Sequence, residues 1–326
     1  MLIRSTALRA VVLCLAGAGG AAAQDLRISH QWSDTDVRHR VAEIVADGAR
    51  SAGLEVEIFP RRALMGPYEQ YDAMIDGTLE MAVLPLAYEA DRHRAYDLTL
   101  MPGLVKNHDH AARLTRSPFM AEIERLMAGD DVMVLVHGYL AGGFMGADRC
   151  ITRPEDVAGL TMRAAGAAFE QMLTGAGAGI ASMPSSRLYE AMEGGVINGA
   201  NTSSSSFVSY RLYERGACFT PPGEYALWFM YQPLLMKRSV FESLTPAQQT
   251  AIRRAAADAE AYYLDEAKSQ DANARAVFAS AGVEIADMSY DDYVGWVGLA
   301  KMTSYETYLA DDPEALRLLN MALAVE

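Results

Sequence analysis

The residue with the clearest chemical demand in this chain is Arg163. It closes a short apolar strand pattern, Gly159-Leu160-Thr161-Met162-Arg163. A buried guanidinium without an acidic partner is costly, because its hydration is lost and nothing replaces it. The stretch from Pro154 to Ser206 places no obvious carboxylate against it. Two partners are open: a carboxylate from elsewhere in the chain, or that of a ligand, which a guanidinium grips through two parallel hydrogen bonds. Motifs for turnover are missing, with no Gly-x-Ser-x-Gly elbow and no Walker loop. The run Gly175-Ala176-Gly177-Ala178-Gly179 has glycines like those of a dinucleotide loop, but lacks their spacing and the helix that should follow. His108 and His110 flank Asp109, yet Asn107 reads as a helix cap that leaves the pair on an exposed first turn. His30 and His137 sit at strand ends without an acid or nucleophile at recognisable spacing. No metal, cofactor or catalytic residue is expected, and the chain reads as a binding protein rather than an enzyme.

The elements around Arg163 must hold it in place. A helical segment and a Gly/Ala loop follow it, then a helix over 185–193 and a Gly194-Gly195 turn into a short strand, Val196-Ile197-Asn198. A small polar run, Asn201-Thr202-Ser203-Ser204, comes next. Upstream, the spacing predicts strands over 26–30, 54–59, 81–86 and 132–139, alternating with helices over 34–52, 68–77 and 109–128. Val37, Val41, Ile44 and Val45 give the first helix its apolar face. This order argues for an α/β fold with a largely parallel sheet. Thr245 as cap and Pro246 at the first position open a helix that runs without a breaker to about residue 280. That is far beyond the usual globular length, and no heptad seam makes it a coiled coil. Helical segments over 290–309 and 313–324 end the chain.

Composition bounds the rest. The 326 residues exceed what one core usually serves, so two domains are expected. Residues 1–23 carry Arg4 and Arg9, an apolar run from Ala10 to Leu15, and the small tail Ala21-Ala22-Ala23, the pattern of a secretory signal cleaved before Gln24. Its apolar part is too short to cross a bilayer. Leu13 before Cys14 argues against lipid attachment. The net charge of −14 becomes −16 once the signal's two arginines, unaccompanied by acids, are removed. That argues against nucleic acid and anionic membrane as partners. An acidic protein that binds anions needs a local positive site, which points again to Arg163.

The Arg163 block resembles the core signature of the solute-binding proteins of TRAP transporters, the C4-dicarboxylate-binding type. Its elements here are Pro154, Asp156, Gly159, Arg163, Gly177-Ala178, Met183-Pro184, Tyr189-Glu190-Ala191-Met192 and Gly195-Val196-Ile197-Asn198-Gly199. The Gly66 turn, the Asp76-Gly77-Thr78-Leu79-Glu80-Met81 corner and the Leu244-Thr245-Pro246-x-Gln248 helix entry extend the likeness over nearly the whole chain. The resemblance implies a two-lobe periplasmic binding protein fold with hinge strands and a long helix spanning both lobes. The lobes would be 24–147 plus 219–262, and 148–218 plus 263–326. It puts the grip on a ligand carboxylate on Arg163. Asn201 and Thr202, where relatives place larger groups, suit hydrogen bonds to a hydroxyl or a second carboxylate oxygen. Trp32, Tyr88, Trp228 and Phe229 lie in stretches that line the family's cleft, as an aromatic wall. The second arginine of the sialic-acid branch is absent from Ala141-Gly142-Gly143-Phe144-Met145, and Arg187 is read as a surface residue.

The partners implied are a small organic acid and the two TRAP membrane subunits, small and large, with the receptor a periplasmic monomer. The alternatives are an ABC-importer binding protein and a sensory receptor that presents its ligand to a membrane kinase. Cys150 and Cys218 remain after cleavage, in segments that the resemblance places at the lobe crossings. A disulfide there would tie two hinge strands; because hinges flex, two buried free thiols are the favoured expectation.

Overall fold

The computed structural model describes residues 25–310 and 312–326, so the expected signal segment 1–23 lies outside it. Two mixed α/β layers are built on two sheets. In the first, Glu55–Phe59, Asp25–Ser29 and Met81–Val83 run parallel, as alternating strands and helices require. Leu234–Lys237 then returns antiparallel between Met81–Val83 and Val132–Val136. In the second sheet the order is Glu284–Ile285, Cys218–Thr220, Tyr139–Gly146, Gly199–Ser203, Thr161–Arg163 and Gly179–Ile180, and Trp228–Tyr231 also pairs with Tyr139–Gly146.

One strand visibly connects the lobes. Tyr139–Gly146 begins in the first lobe's core, where Tyr139 and Ala141 pack beside Leu235, and ends in the second lobe's core at Met145. Its Gly142-Gly143 pair is a packing requirement. A Cβ on Gly142 would stand 1.9 Å from the Thr202 carbonyl oxygen, and one on Gly143 equally close to that of Thr220.

The long helix is Pro246–Ser280, started by a reciprocal capping box between Thr245 and Gln248. Ile252, Ala256, Ala259 and Tyr263 pack with Val41 and Val45 in the first lobe, while Ala274 and Phe278 pack with Phe207 and Phe219 in the second. It therefore spans both lobes. The helix expected over 109–128 is two, His108–Leu114 and Pro118–Gly129, because the Ser117 hydroxyl caps the Met120 amide and Pro118 has no N–H to continue the first helix. The strand expected over 196–198 lies at Gly199–Ser203 instead. The C-terminal helix Pro313–Leu323, grouped from sequence with the second lobe, buries Ala315, Leu318 and Leu319 in one core with Phe119, Met120 and Ile123.

Cys150 and Cys218 form a disulfide, with Cα atoms 4.9 Å apart, which corrects the favoured expectation of free thiols. Cys218 pairs with Gly146 across the second sheet, and the chain turns back at Gly146 so that the Arg149 carbonyl lies against it. This turn brings Cys150 beside Cys218 within one lobe, so the bridge leaves the hinge free. It closes a separation of 68 residues. Replacing both cysteines by serine is expected to lower unfolding stability by about 4 kcal/mol, measured by urea unfolding, with ligand affinity unchanged; an equal loss of affinity would show that the bridge shapes the site.

Candidate functional site

Thr161–Arg163 is a short strand lying parallel to Gly179–Ile180 on one side and Gly199–Ser203 on the other. Arg163 ends it opposite Ala200 and is fully buried. Its Nε donates to the Met183 carbonyl at 2.9 Å, Nη1 to the Asn201 carbonyl at 2.8 Å and Nη2 to the Tyr88 hydroxyl at 2.9 Å. All three acceptors are neutral, and no carboxylate pairs with Arg163 among the described residues. A guanidinium has five N–H donors, so two remain for something outside the chain. The Tyr88 hydroxyl, carried by the first-lobe turn Leu86–Glu89, also accepts from the Ser185 amide at 3.1 Å. Tyr88 thereby joins the lobes directly over the arginine.

Arg163 faces a narrow cavity between the lobes. Of the residues singled out from sequence, Trp32, Tyr88, Thr202 and Trp228 line it with Arg163. Phe229 does not. Side chains alternate along Trp228–Tyr231, so Trp228 and Met230 reach the cavity while Phe229 turns away and packs edge-on against His108, ring centroids 5.2 Å apart. Asn201 meets Arg163 through its backbone carbonyl; its buried side-chain amide is not among the cavity's lining groups and has no protein partner.

The sequence reading missed a second arginine. Arg38 lines the same cavity, wholly buried, its guanidinium carbon 3.9 Å from the Trp32 ring centroid. It is bidentate on Asp36, Nε to Oδ1 and Nη2 to Oδ2 both at 2.6 Å. Nη1 also donates to Gln232 Oε1 at 2.5 Å and to Ser203 at 3.3 Å, and Nη2 to Ser206 at 3.1 Å. Ser203 and Ser206 belong to the second lobe, so Arg38, at the start of Val37–Ser51, is also an interlobe contact. Burial works to raise the Asp36 carboxyl pKa, but the charge and hydrogen bonds of Arg38 outweigh it and hold that carboxyl below its ordinary value. Burial, with the nearby His39 and Arg38, pushes His30 down to about 3, so this imidazole adds no positive charge at neutral pH. A signal for Arg38 was present: it shares a helical stripe with Ala42, Val45 and Ala49, all buried, and stands two residues after the Asp36 cap.

The arrangement is a narrow interlobe cavity whose one uncompensated charge is a guanidinium with donors to spare. Nucleophile–base pairs are absent from its walls among the described residues. Such a site is suited to binding an anion.

Known proteins agree with this geometry. Residues 28–308 match the model of the family described as bacterial extracellular solute-binding protein, family 7, or DctP. A solute-binding protein of Albidiferax ferrireducens is 32% identical over 305 residues, covering 91% of this chain and 90% of that protein. The crystal structure of a TRAP periplasmic solute-binding protein from Rhodoferax ferrireducens, with malonate bound, has a TM-score of 0.87 at 31% identity, over 91% of this chain and 96% of that one. The fold is shared with an extracytoplasmic solute receptor of Bordetella pertussis that binds pyroglutamic acid, at a TM-score of 0.84 and 19% identity over 92% of this chain and 99% of that one. The two sheets and the helix that spans both lobes fit these matches, and the chain belongs to family 7 of the bacterial extracellular solute-binding proteins, the DctP family.

Proposed function

We propose that this protein is the periplasmic receptor of a TRAP transporter, exported by its signal segment and active as a monomer. It captures a small organic acid between lobes close to 24–147 plus 219–262 and 148–218 plus 263–312, with the helix Pro313–Leu323 packed on the first, and delivers it to the small and large membrane subunits. The observation that carries this reading is Arg163, a buried cation with neutral protein acceptors and free donors at an interlobe cavity. The malonate-bound TRAP relative supports it over an ABC-importer or sensory role. Closure around the ligand excludes water, which strengthens the guanidinium–carboxylate pair and makes the closed state the one the ligand favours. Thr202 adds a neutral hydroxyl, and Trp32 and Trp228 the apolar walls.

The test is a thermal-shift screen of refolded, ligand-free protein against carboxylates and their amides. A ligand at a hundred times its dissociation constant stabilises the fold by about 2.7 kcal/mol, a shift of several degrees. An acid that raises the melting temperature while its amide does not is the expected result. Equal shifts by acid and amide would refute carboxylate capture.

A further inference from the structure

Resting on the receptor reading above, we propose that the cavity selects small singly charged acids and rejects dicarboxylates: one carboxylate sits on Arg163, and an uncharged remainder lies between Trp32 and Trp228 with an oxygen that accepts from their indole N–H groups.

The cavity contains two arginines, which at first sight fits a diacid. Their hydrogen bonds divide them. Arg38 has each of its five N–H donors matched, two of them to the carboxylate of Asp36 and the others to Gln232, Ser203 and Ser206. Its charge is cancelled by Asp36, and both side chains are buried, 1% and 0% exposed. One face of its guanidinium is covered by Trp32. Arg38 therefore has no edge left for a second carboxylate, which would have to displace Asp36 and leave that acid buried and unpaired. Arg163 is the single lining cation without an acid, and neither lysine nor histidine lines the cavity.

The remaining walls indicate what the uncharged part of the ligand looks like. Nε1 of Trp32 and Nε1 of Trp228 are buried and have no protein acceptor. Buried donors are nearly always satisfied, and both residues line this cavity. Pro85 and Met230 add apolar surface, and Ser185, Thr202, Ser206 and Gln232 add neutral polar groups. A keto, lactam or ether oxygen meets these donors without bringing charge, whereas a carboxylate in the same place is an anion with no cation.

Calorimetric titration of the refolded wild-type protein tests this with three probes of similar size: pyruvate, malonate and monomethyl malonate. At neutral pH pyruvate and the half-ester are expected to bind about a hundredfold tighter than malonate. Malonate affinity is expected to rise as the pH is lowered and malonate becomes a monoanion. Asp36→Asn, which frees Arg38 as a second cation, is expected to shrink the preference at least tenfold. If that variant does not fold, the wild-type ratio and its pH dependence decide alone. Malonate binding as tightly as the half-ester at neutral pH overturns the proposal and leaves the receptor reading standing. If no carboxylate of either charge binds, within this trio or a wider acid panel, both readings fall.

Discussion

Replacing Arg163 by methionine is expected to lower affinity for the acid ligand by two to three orders of magnitude while leaving the ligand-free protein as stable as before, or more so. Truncating one member of a buried, hydrogen-bonded charge pair costs about 2–5 kcal/mol of binding, which is the source of the first figure. The second follows from the partners that the protein itself supplies to Arg163. Arg163 is fully buried with only two carbonyls and the Tyr88 hydroxyl as partners, so its charge is a burden until a carboxylate arrives. An apolar side chain of similar length removes that burden. It also leaves the Met183 and Asn201 carbonyls without this donor, which limits the gain. Arg163→Lys is expected to recover charge but not two-pronged geometry, and to bind between methionine and wild type. Calorimetry and urea unfolding on the same preparations separate the effects. A variant that loses stability and affinity together would mark Arg163 as a structural residue.

The Asp36–Arg38 pair is expected to behave in the opposite way. Either single change, Asp36→Asn or Arg38→Met, is expected to destabilise the fold by about 3–5 kcal/mol, because each leaves a buried charge without its partner. Asparagine is the informative substitution at position 36. It still caps the helix Val37–Ser51, accepting from the Arg38 amide as Asp36 does, so only the charge is lost. The double variant is expected to recover most of the loss, giving a large coupling energy in a double-mutant cycle. Additive losses would contradict the pairing. The pH dependence has a definite sign. With its pKa held below the ordinary value, Asp36 contributes stability that is complete above the ordinary carboxylate range and disappears as the pH falls through its depressed value. In Arg38→Met the hydrogen bonds to Ser203 and Ser206 are gone as well, so the lobes are expected to open more readily, visible as a larger radius of gyration in ligand-free solution scattering.

Local physics made much of this protein legible. The apolar strand ending at Arg163, the Thr245–Gln248 box and the unbroken run behind it depend on neighbours a few residues apart, and each appears in the structure where its pattern lies. The break at Ser117-Pro118 was equally local and was passed over, because apolar periodicity continues across it. Strand alternation separated Trp228 from Phe229, but which of the two meets the cavity was set by pairing with Tyr139–Gly146, more than eighty residues earlier in the chain.

By itself, then, the sequence determined the two-lobe α/β class, the family signature and the arginine whose charge lacks a local partner. Tertiary structure decided whether that charge would be neutralised inside the protein. It left Arg163 among carbonyls and a hydroxyl, and it carried Arg38 to acceptors 165 and 194 positions away at Ser203 and Gln232. It also brought Cys150 to Cys218 within one lobe. The physical reason is one of range. Caps, turns and amphipathic faces are set by free energies between near neighbours, which the order of residues displays. The compensation of a buried charge depends on which distant backbone and side-chain groups the packed sheets bring within about 3 Å, and that distance exists only once the chain has folded.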